Sequence, residues 1–229
     1  METPEQIKNQ WRRATIANGP APLTWYLAPG KWGWVCMLSV VIATENAERL
    51  LVPTLTALVP GATAGLVSEV IVADAGSSDA TRMIADAAGC RFEATPAPLG
   101  HRLRQAAAGA RAGWLLFLRP GVVLDSTWTE ETKCFIENVE LGGKARAAAF
   151  RPPGGADTLA ATIAEALVHI VAALGAQPRP QQGLLISKRL YERLGGHRGE
   201  DADPEKSFLR RLGRRRIVML RSRTMMAGG

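Results

Sequence analysis

This sequence lacks several features, and each absence removes a class of protein. There is no run of membrane-spanning length: the mostly apolar stretch from Trp32 to Ala43 is only twelve residues, against about 20 needed to cross a bilayer. It divides better into an aromatic lead-in and a core strand. Residues 1–20 contain Glu2, Glu5 and Pro20 and no continuous apolar segment, so no secretory leader is expected. Cysteine is scarce. Three residues, at 36, 90 and 134, form no metal-binding spacing, and an odd count opposes a disulfide framework. A reducing cytoplasmic setting is the simplest expectation, with Cys90 as core filler.

Nucleotide-binding loops of the common kinds are missing too. There is no Gly-x-Gly-x-x-Gly and no Walker A sequence, so neither a dinucleotide cofactor nor a P-loop is indicated. Histidine occurs only at 101, 169 and 197. No Ser-His-Asp order with a nucleophile elbow is present, which ranks a hydrolase low. Aromatic residues are 6% of the chain and do not interleave with the arginines, which disfavours direct nucleic-acid binding.

What is present suits an α/β domain. The 229 residues are 47% apolar, enough for one large domain or one domain with an extension. The formal charge of +7 is unevenly spread: residues 189–223 hold ten arginines. That face suits phosphate or anionic lipid, or simply water. Residues 1–36 read as a peripheral extension, with Trp11, Trp25, Trp32, Trp34 and several prolines. Exposed tryptophan there would favour a partner or a membrane interface. Localisation is therefore expected to be cytoplasmic, with peripheral contact to an anionic membrane as an added option. Oligomeric state is left open.

The regular pattern begins near Met37 and defines a domain over 37–229. Strands are predicted at 38–43, 69–73, 90–92, 114–118, 146–150, 183–187 and 217–220. Helices are predicted at 47–59, from Ser78 to about 88, and at 101–112, 127–139, 157–175, 188–194 and 205–212. The alternation predicts βαβ units, a mostly parallel central sheet and flanking helices.

In such a sheet, ligands gather at the carboxyl ends of the strands. Leu38-Ser-Val-Val-Ile-Ala-Thr44 stops at Glu45-Asn-Ala-Glu48. Glu69-Val-Ile-Val-Ala-Asp74 stops at Ala-Gly-Ser-Ser-Asp79. Asp74 is placed to meet a base or ribose. Asp79 is placed to cap the next helix.

These two runs resemble the start of family 2 glycosyltransferases. Gly113-Trp-Leu-Leu-Phe-Leu118, Gln182-Gly-Leu-Leu-Ile-Ser187, Leu194-Gly-Gly-His197 and Arg210-Arg-Leu-Gly213 extend the resemblance in order, across roughly 37–222. It implies a GT-A fold and inverting transfer of a sugar from a nucleotide-diphosphate donor to an acceptor. It also implies Thr44, Glu45 and Asp74 near the nucleotide, with Asp74 by the base, and a Mg²⁺ or Mn²⁺ ion.

The chain departs from that family at two places. Where the family carries an Asp-x-Asp-like motif, this chain has Arg119-Pro-Gly121, so no metal ligand is assigned and no cofactor follows from the residues themselves. Arg119 could neutralise a diphosphate directly, because guanidinium matches phosphate geometry; it could also be a plain surface residue. The acidic pair before the Arg-Arg-Leu helix is altered as well. Gapless spacing selects Glu205 as general base, and a local shift selects Asp201 instead. The alternative function is a noncatalytic glycosyltransferase-like protein that binds a nucleotide or a partner.

Overall fold

The computed structural model describes residues 38–152 and 179–227. The extension expected over 1–36, and the helix expected at 157–175 with His169, lie outside the described residues. Within them are eight strands: β1 (Leu38–Thr44), β2 (Val67–Asp74), β3 (Arg91–Ala94), β4 (Trp114–Leu118), β5 (Val122–Leu124), β6 (Ala147–Arg151), β7 (Leu184–Ser187) and β8 (Ile217–Met226). Six α-helices accompany them: α1 (Glu48–Thr63), α2 (Thr81–Ala87), α3 (Leu99–Gly109), α4 (Trp128–Gly142), α5 (Lys188–Arg193) and α6 (Pro204–Leu212).

The strands form one sheet in the order β3-β2-β1-β4-β7-β6-β8-β5. The half containing β3, β2, β1 and β4 is wholly parallel. Beyond β4 it becomes mixed: β7 is antiparallel to both β4 and β6, β6 is parallel to β8, and β5 is antiparallel to β8. The expected α/β architecture is present, and parallel pairing prevails through its first half.

Alternation along β1 explains the layering. Leu38, Val40 and Ile42 face a core containing Leu51, Leu55 and Leu58 of α1 and Trp128 and Ile136 of α4. Val41 faces the opposite core, with Leu103 and Ala106 of α3, Leu190 and Tyr191 of α5, and Phe208 of α6. Successive strand residues point to opposite faces, so a buried strand must be apolar throughout, as β4 is. Trp128 is fully buried, and its indole N–H donates to the Ala57 carbonyl at 3.1 Å. A side chain at Gly61 would meet that ring at 2.4 Å, so α1 and α4 fit only with glycine there. Cys90, just ahead of β3, packs against the first core; burial, then the nearby Asp86, pushes its thiol up to about 12.

Three sequence expectations change. Helix α1 continues through Pro53 and Pro60 to Thr63, past the predicted end at 59. Helix α2 begins at Thr81 rather than near Ser78, with Ala80 at its N-cap; Asp79, just before that cap, accepts from the Thr81 amide at 3.0 Å and its hydroxyl at 2.5 Å. The last strand runs to Met226 rather than Leu220, and the short β5 that pairs with its far end was not foreseen. Two half-buried acids hold this extension. Asp125 accepts from the Arg223 amide at 2.6 Å, and Glu131 from the Ser222 amide at 2.7 Å.

Candidate functional site

The carboxyl ends of β1, β2 and β4 open onto one side of the sheet, and their loops are tied together. Asn46, with φ of 47°, donates its amide to the Ser77 hydroxyl at 2.8 Å, and its side-chain oxygen accepts from the Ser78 amide at 3.0 Å. The Glu48 amide donates to Asp79 at 3.0 Å, while the Glu48 carboxylate accepts from the Ala80 amide at 3.2 Å. The first turns of α1 and α2 thus satisfy each other's free N–H groups.

Asp74 ends β2 and is fully buried. One of its oxygens accepts from the amides of Gly76 at 2.8 Å and Ser77 at 2.6 Å; the other accepts from the hydroxyls of Thr44 at 2.7 Å and Ser77 at 2.5 Å. Burial by itself raises its pKa. The Ser77 hydroxyl and amide, the Thr44 hydroxyl and the Gly76 amide outweigh burial and hold it below the ordinary value. In this state Asp74 organises the turn, and Thr44 acts through it. Glu45 projects into solvent beside them.

Beneath this corner lies a residue that the sequence reading did not single out. Arg102 of α3 is buried, and one guanidinium nitrogen donates to the backbone oxygens of Ala73 at 2.7 Å and Thr44 at 3.0 Å. Its Nε donates to the Ala97 oxygen at 3.1 Å. Burial lowers its pKa, and Glu45 and Asp74 oppose that shift. A guanidinium stays charged in proteins, so this corner rests on a fixed cation. The only sequence signal was an arginine within an alanine-rich helix.

The second part of the site joins β4 to α6. Arg119, just past β4, donates through Nε to both carboxylate oxygens of Glu205, at 3.0 and 3.3 Å, and through Nη2 to one of them. Glu205 stands in the first turn of α6, whose N-cap is Asp203; that side chain accepts from the Lys206 amide. Hydrogen bonding to Glu205 raises the Arg119 pKa against the opposing effect of burial. The side chains are 41% and 15% exposed respectively, so the acid is the more enclosed partner. Glu205 also lines a small pocket with Phe117, Arg179, Gly183, Leu184, His197 and Leu209.

His197 is a core residue at the edge of this pocket. It is 2% exposed, its Nδ1 lies 2.9 Å from the Tyr191 hydroxyl, and it stacks among Phe117, Tyr191 and Phe208. Burial, with Arg211 nearby, lowers its pKa to about 3. Asp201 does not join the Arg119–Glu205 pair. One of its oxygens is buried without a hydrogen-bond partner, and its charge acts on Arg211.

The segment at 119–121 does not fit a divalent cation. Gly121 has no side-chain ligand and a φ of 86°. Its amide donates to the Leu50 oxygen and the Thr54 hydroxyl, each at 2.9 Å. A Cβ there would meet Leu50 at 3.2 Å and Met226 at 3.3 Å. Asp125, the next acid along, is taken up by Thr127 and the Arg223 amide. Among the described residues no group of three or more acids, histidines or cysteines is arranged to hold a metal. Oxygen ligands are what Mg²⁺ and Mn²⁺ need, and this segment offers a cation instead.

A parallel half-sheet joined to a mixed half is a GT-A-like α/β architecture. Solved structures share it. Glucosyl-3-phosphoglycerate synthase from Mycobacterium tuberculosis, in complex with Mn²⁺, UDP and glucosyl-3-phosphoglycerate, superposes with a TM-score of 0.60 at 19% identity, over 88% of this chain and 79% of that one. A mycobacterial protein gives 0.59 at 21% identity, over 87% and 74%. Residues 1–349 of TarS from S. aureus give 0.58 at 15%, over 82% and 60%. No family model matches the sequence, and no curated protein matches it. Among the described residues no helix is long and apolar enough to cross a membrane.

Proposed function

We propose that this chain is a divergent family 2 glycosyltransferase that moves a sugar, with inversion, from a nucleotide diphosphate to an acceptor hydroxyl. Residues 37–229 would carry the activity, with 1–36 peripheral. The observation that carries this reading is the Arg119–Glu205 pair. It puts a phosphate-matching guanidinium and an enclosed carboxylate at one mouth, beside the β1 and β2 strand ends. Two of the glucosyl-3-phosphoglycerate synthase structures contain UDP and UDP-glucose respectively, which supports the same donor class here.

In this reading the nucleoside lies over Thr44, Glu45 and the Asp74 turn, and the diphosphate reaches Arg119. Arg119 then exchanges Glu205 for phosphate oxygens, and the carboxylate is freed toward the pocket. The acceptor oxygen forms its bond to the anomeric carbon as the bond from that carbon to the diphosphate breaks. Glu205 takes the acceptor proton, and the departing diphosphate carries its charge to Arg119. Asp201 is the second candidate for the proton, because one of its oxygens has no hydrogen-bond partner. No step passes through a metal.

A second reading rests on the same pair. A base held by arginine and an Asp74 saturated by its own turn also suit a noncatalytic nucleotide- or partner-binding protein. The experiment is a mass-spectrometric screen of nucleotide sugars and acceptors, followed by transfer rates of Glu205→Gln and Asp201→Asn at saturating donor. Turnover lost in E205Q with donor affinity undiminished supports Glu205. Loss in D201N alone moves the base there. Nucleotide binding with no turnover by the parent protein supports the noncatalytic reading.

A further inference from the structure

The end of the sheet opposite the candidate site collects cations that form no ion pair among the described residues. Ala147, the first residue of β6, pairs with Ile186 of β7 and with Ile217 of β8. The chain comes into β6 through Lys144 and Arg146, leaves β7 through Lys188 and Arg189, and comes into β8 through Arg214–Arg216. Neighbouring strands lie about 4.8 Å apart, so these three segments share one end of the sheet. Ser187 also pairs with Trp114, the first residue of β4, whereas Arg119 follows its last.

Lys144, Arg146, Arg189, Arg214, Arg215 and Arg216 are all exposed. Among the described residues, none of the six forms an ion pair. Arg216 makes one contact, to the Leu212 carbonyl at 3.4 Å. Lys188 differs, because its ammonium is spent on the carbonyls of Ala108 and Ala110. Glu140 stands nearby, with its carboxylate accepting from the Trp114 indole N–H at 3.1 Å.

Helix α4 ends at the same place and contributes the other half of the surface. Leu141, in its last turn, is 87% exposed. Gly143 then turns the chain with φ of 62° into Lys144. One exposed leucine is ordinary. A leucine standing out among six unpaired cations combines two chemistries: attraction to anionic headgroups and an apolar group that can enter the acyl boundary. Duplex nucleic acid would use the cations and leave Leu141 without a role. A single strand would also seek stacking platforms, and no Phe, Tyr or Trp side chain among the described residues is exposed.

We infer that this end of the sheet docks peripherally on an anionic membrane, with Leu141 at the acyl boundary and the six cations over the headgroups. Docked this way, the strand ends carrying Thr44, Asp74 and Arg119 face away from the bilayer.

The test is co-sedimentation of the full chain with vesicles of phosphatidylcholine, with and without phosphatidylglycerol. Binding is expected only with the anionic lipid, falling as salt rises. The charge reversal R214E/R215E/R216E should cut partitioning at least tenfold. The milder R146Q/R189Q should also reduce it, with thermal unfolding as the fold control for both. Arg82→Glu, at an exposed position on α2 outside this surface, should leave it unchanged. Leu141→Ser should weaken vesicle binding and spare heparin binding. Equal binding to neutral vesicles overturns the proposal. So does full binding by both sets of arginine variants, which would move the contact elsewhere in the chain. Vesicle binding unaffected by L141S yet competed away by heparin would make the surface a general polyanion site.

Discussion

Arg119 and Glu205, 86 positions apart, grip each other through two guanidinium nitrogens and both carboxylate oxygens. The arrangement gives each group a competitor. Whatever anion takes Arg119 must displace Glu205, and whatever proton donor reaches Glu205 finds it free only after that displacement.

This competition has a measurable sign. Glu205→Gln removes the competing charge, so nucleotide-diphosphate affinity should rise in E205Q while transfer is lost. Calorimetry with UDP reads the first effect. Weaker binding in E205Q would show that Glu205 supports the ligand rather than competing with it. In the free protein, a double-mutant cycle on stability with R119A and E205Q should give a coupling of roughly 1 kcal/mol, because Arg119 is partly solvated.

Metal dependence is the next expectation. Chelator should leave nucleotide-diphosphate affinity nearly unchanged, and Arg119→Ala should lower it about tenfold or more, as expected for a lost charge-assisted contact. Installing carboxylates as R119D/G121D should not create a Mn²⁺ requirement. Gly121 is in a left-handed conformation pressed against Leu50 and Met226, so the double variant should unfold earlier instead. Tight Mn²⁺-dependent binding by the parent protein, abolished by chelator, would overturn this expectation.

Asp74→Asn should act on the turn as well as on any ligand. At neutral pH the variant should lose about 1–3 kcal/mol, the cost of leaving the Thr44, Gly76 and Ser77 donors without a charged acceptor. The unfolded carboxyl titrates near 3.8, and the folded one lies lower. The stabilisation is therefore complete above that value and fades as pH falls through the folded pKa. Denaturant midpoints at pH 7 and pH 3 should show the gap between parent and variant narrowing. A gap that widens in acid would contradict the hydrogen-bond assignment.

His197 should govern stability at a milder pH. Its folded pKa of about 3 lies below the ordinary 6.5, so the unfolded chain takes up a proton first as pH falls. Stability from this group is full above 6.5 and declines below it, at up to about 1.4 kcal/mol per pH unit. Replacing His197 with Phe should flatten that decline between pH 6.5 and 4. An unchanged slope would mean that the imidazole is protonated in the native state.

The legible parts of the fold were those written in local sequence. β1, β2 and β4 are short apolar strands ended by polar or turn-forming residues, and they appear in the parallel half as expected. β5 was hidden because three residues after Pro120-Gly121 make no pattern. The far half of β8 was hidden because Ser222 and Thr224 are buried polar residues, satisfied by Glu131 and by the Arg151 carbonyl. The candidate site was partly legible. Asp74 and Arg119 could be placed at strand ends, since the chain reverses there. Their partners could not be read. Arg102 looks like surface in an alanine-rich helix, and the union of Arg119 with Glu205 depends on how β4 and α6 meet in space.

The last strand carries a consequence for how the protein is made. The Ala227 amide donates to the Gly121 carbonyl at 2.8 Å, and Asp125 holds the Arg223 amide 98 positions downstream. The segment that presents Arg119 is thus completed by residues that leave the ribosome much later. Contacts so distant in sequence form slowly, and an unpaired strand edge invites wrong partners meanwhile. A nascent chain halted before β8 would carry the first two strand-end loops with the Arg119 mouth still unassembled. Chaperone dependence should concentrate in that interval of synthesis.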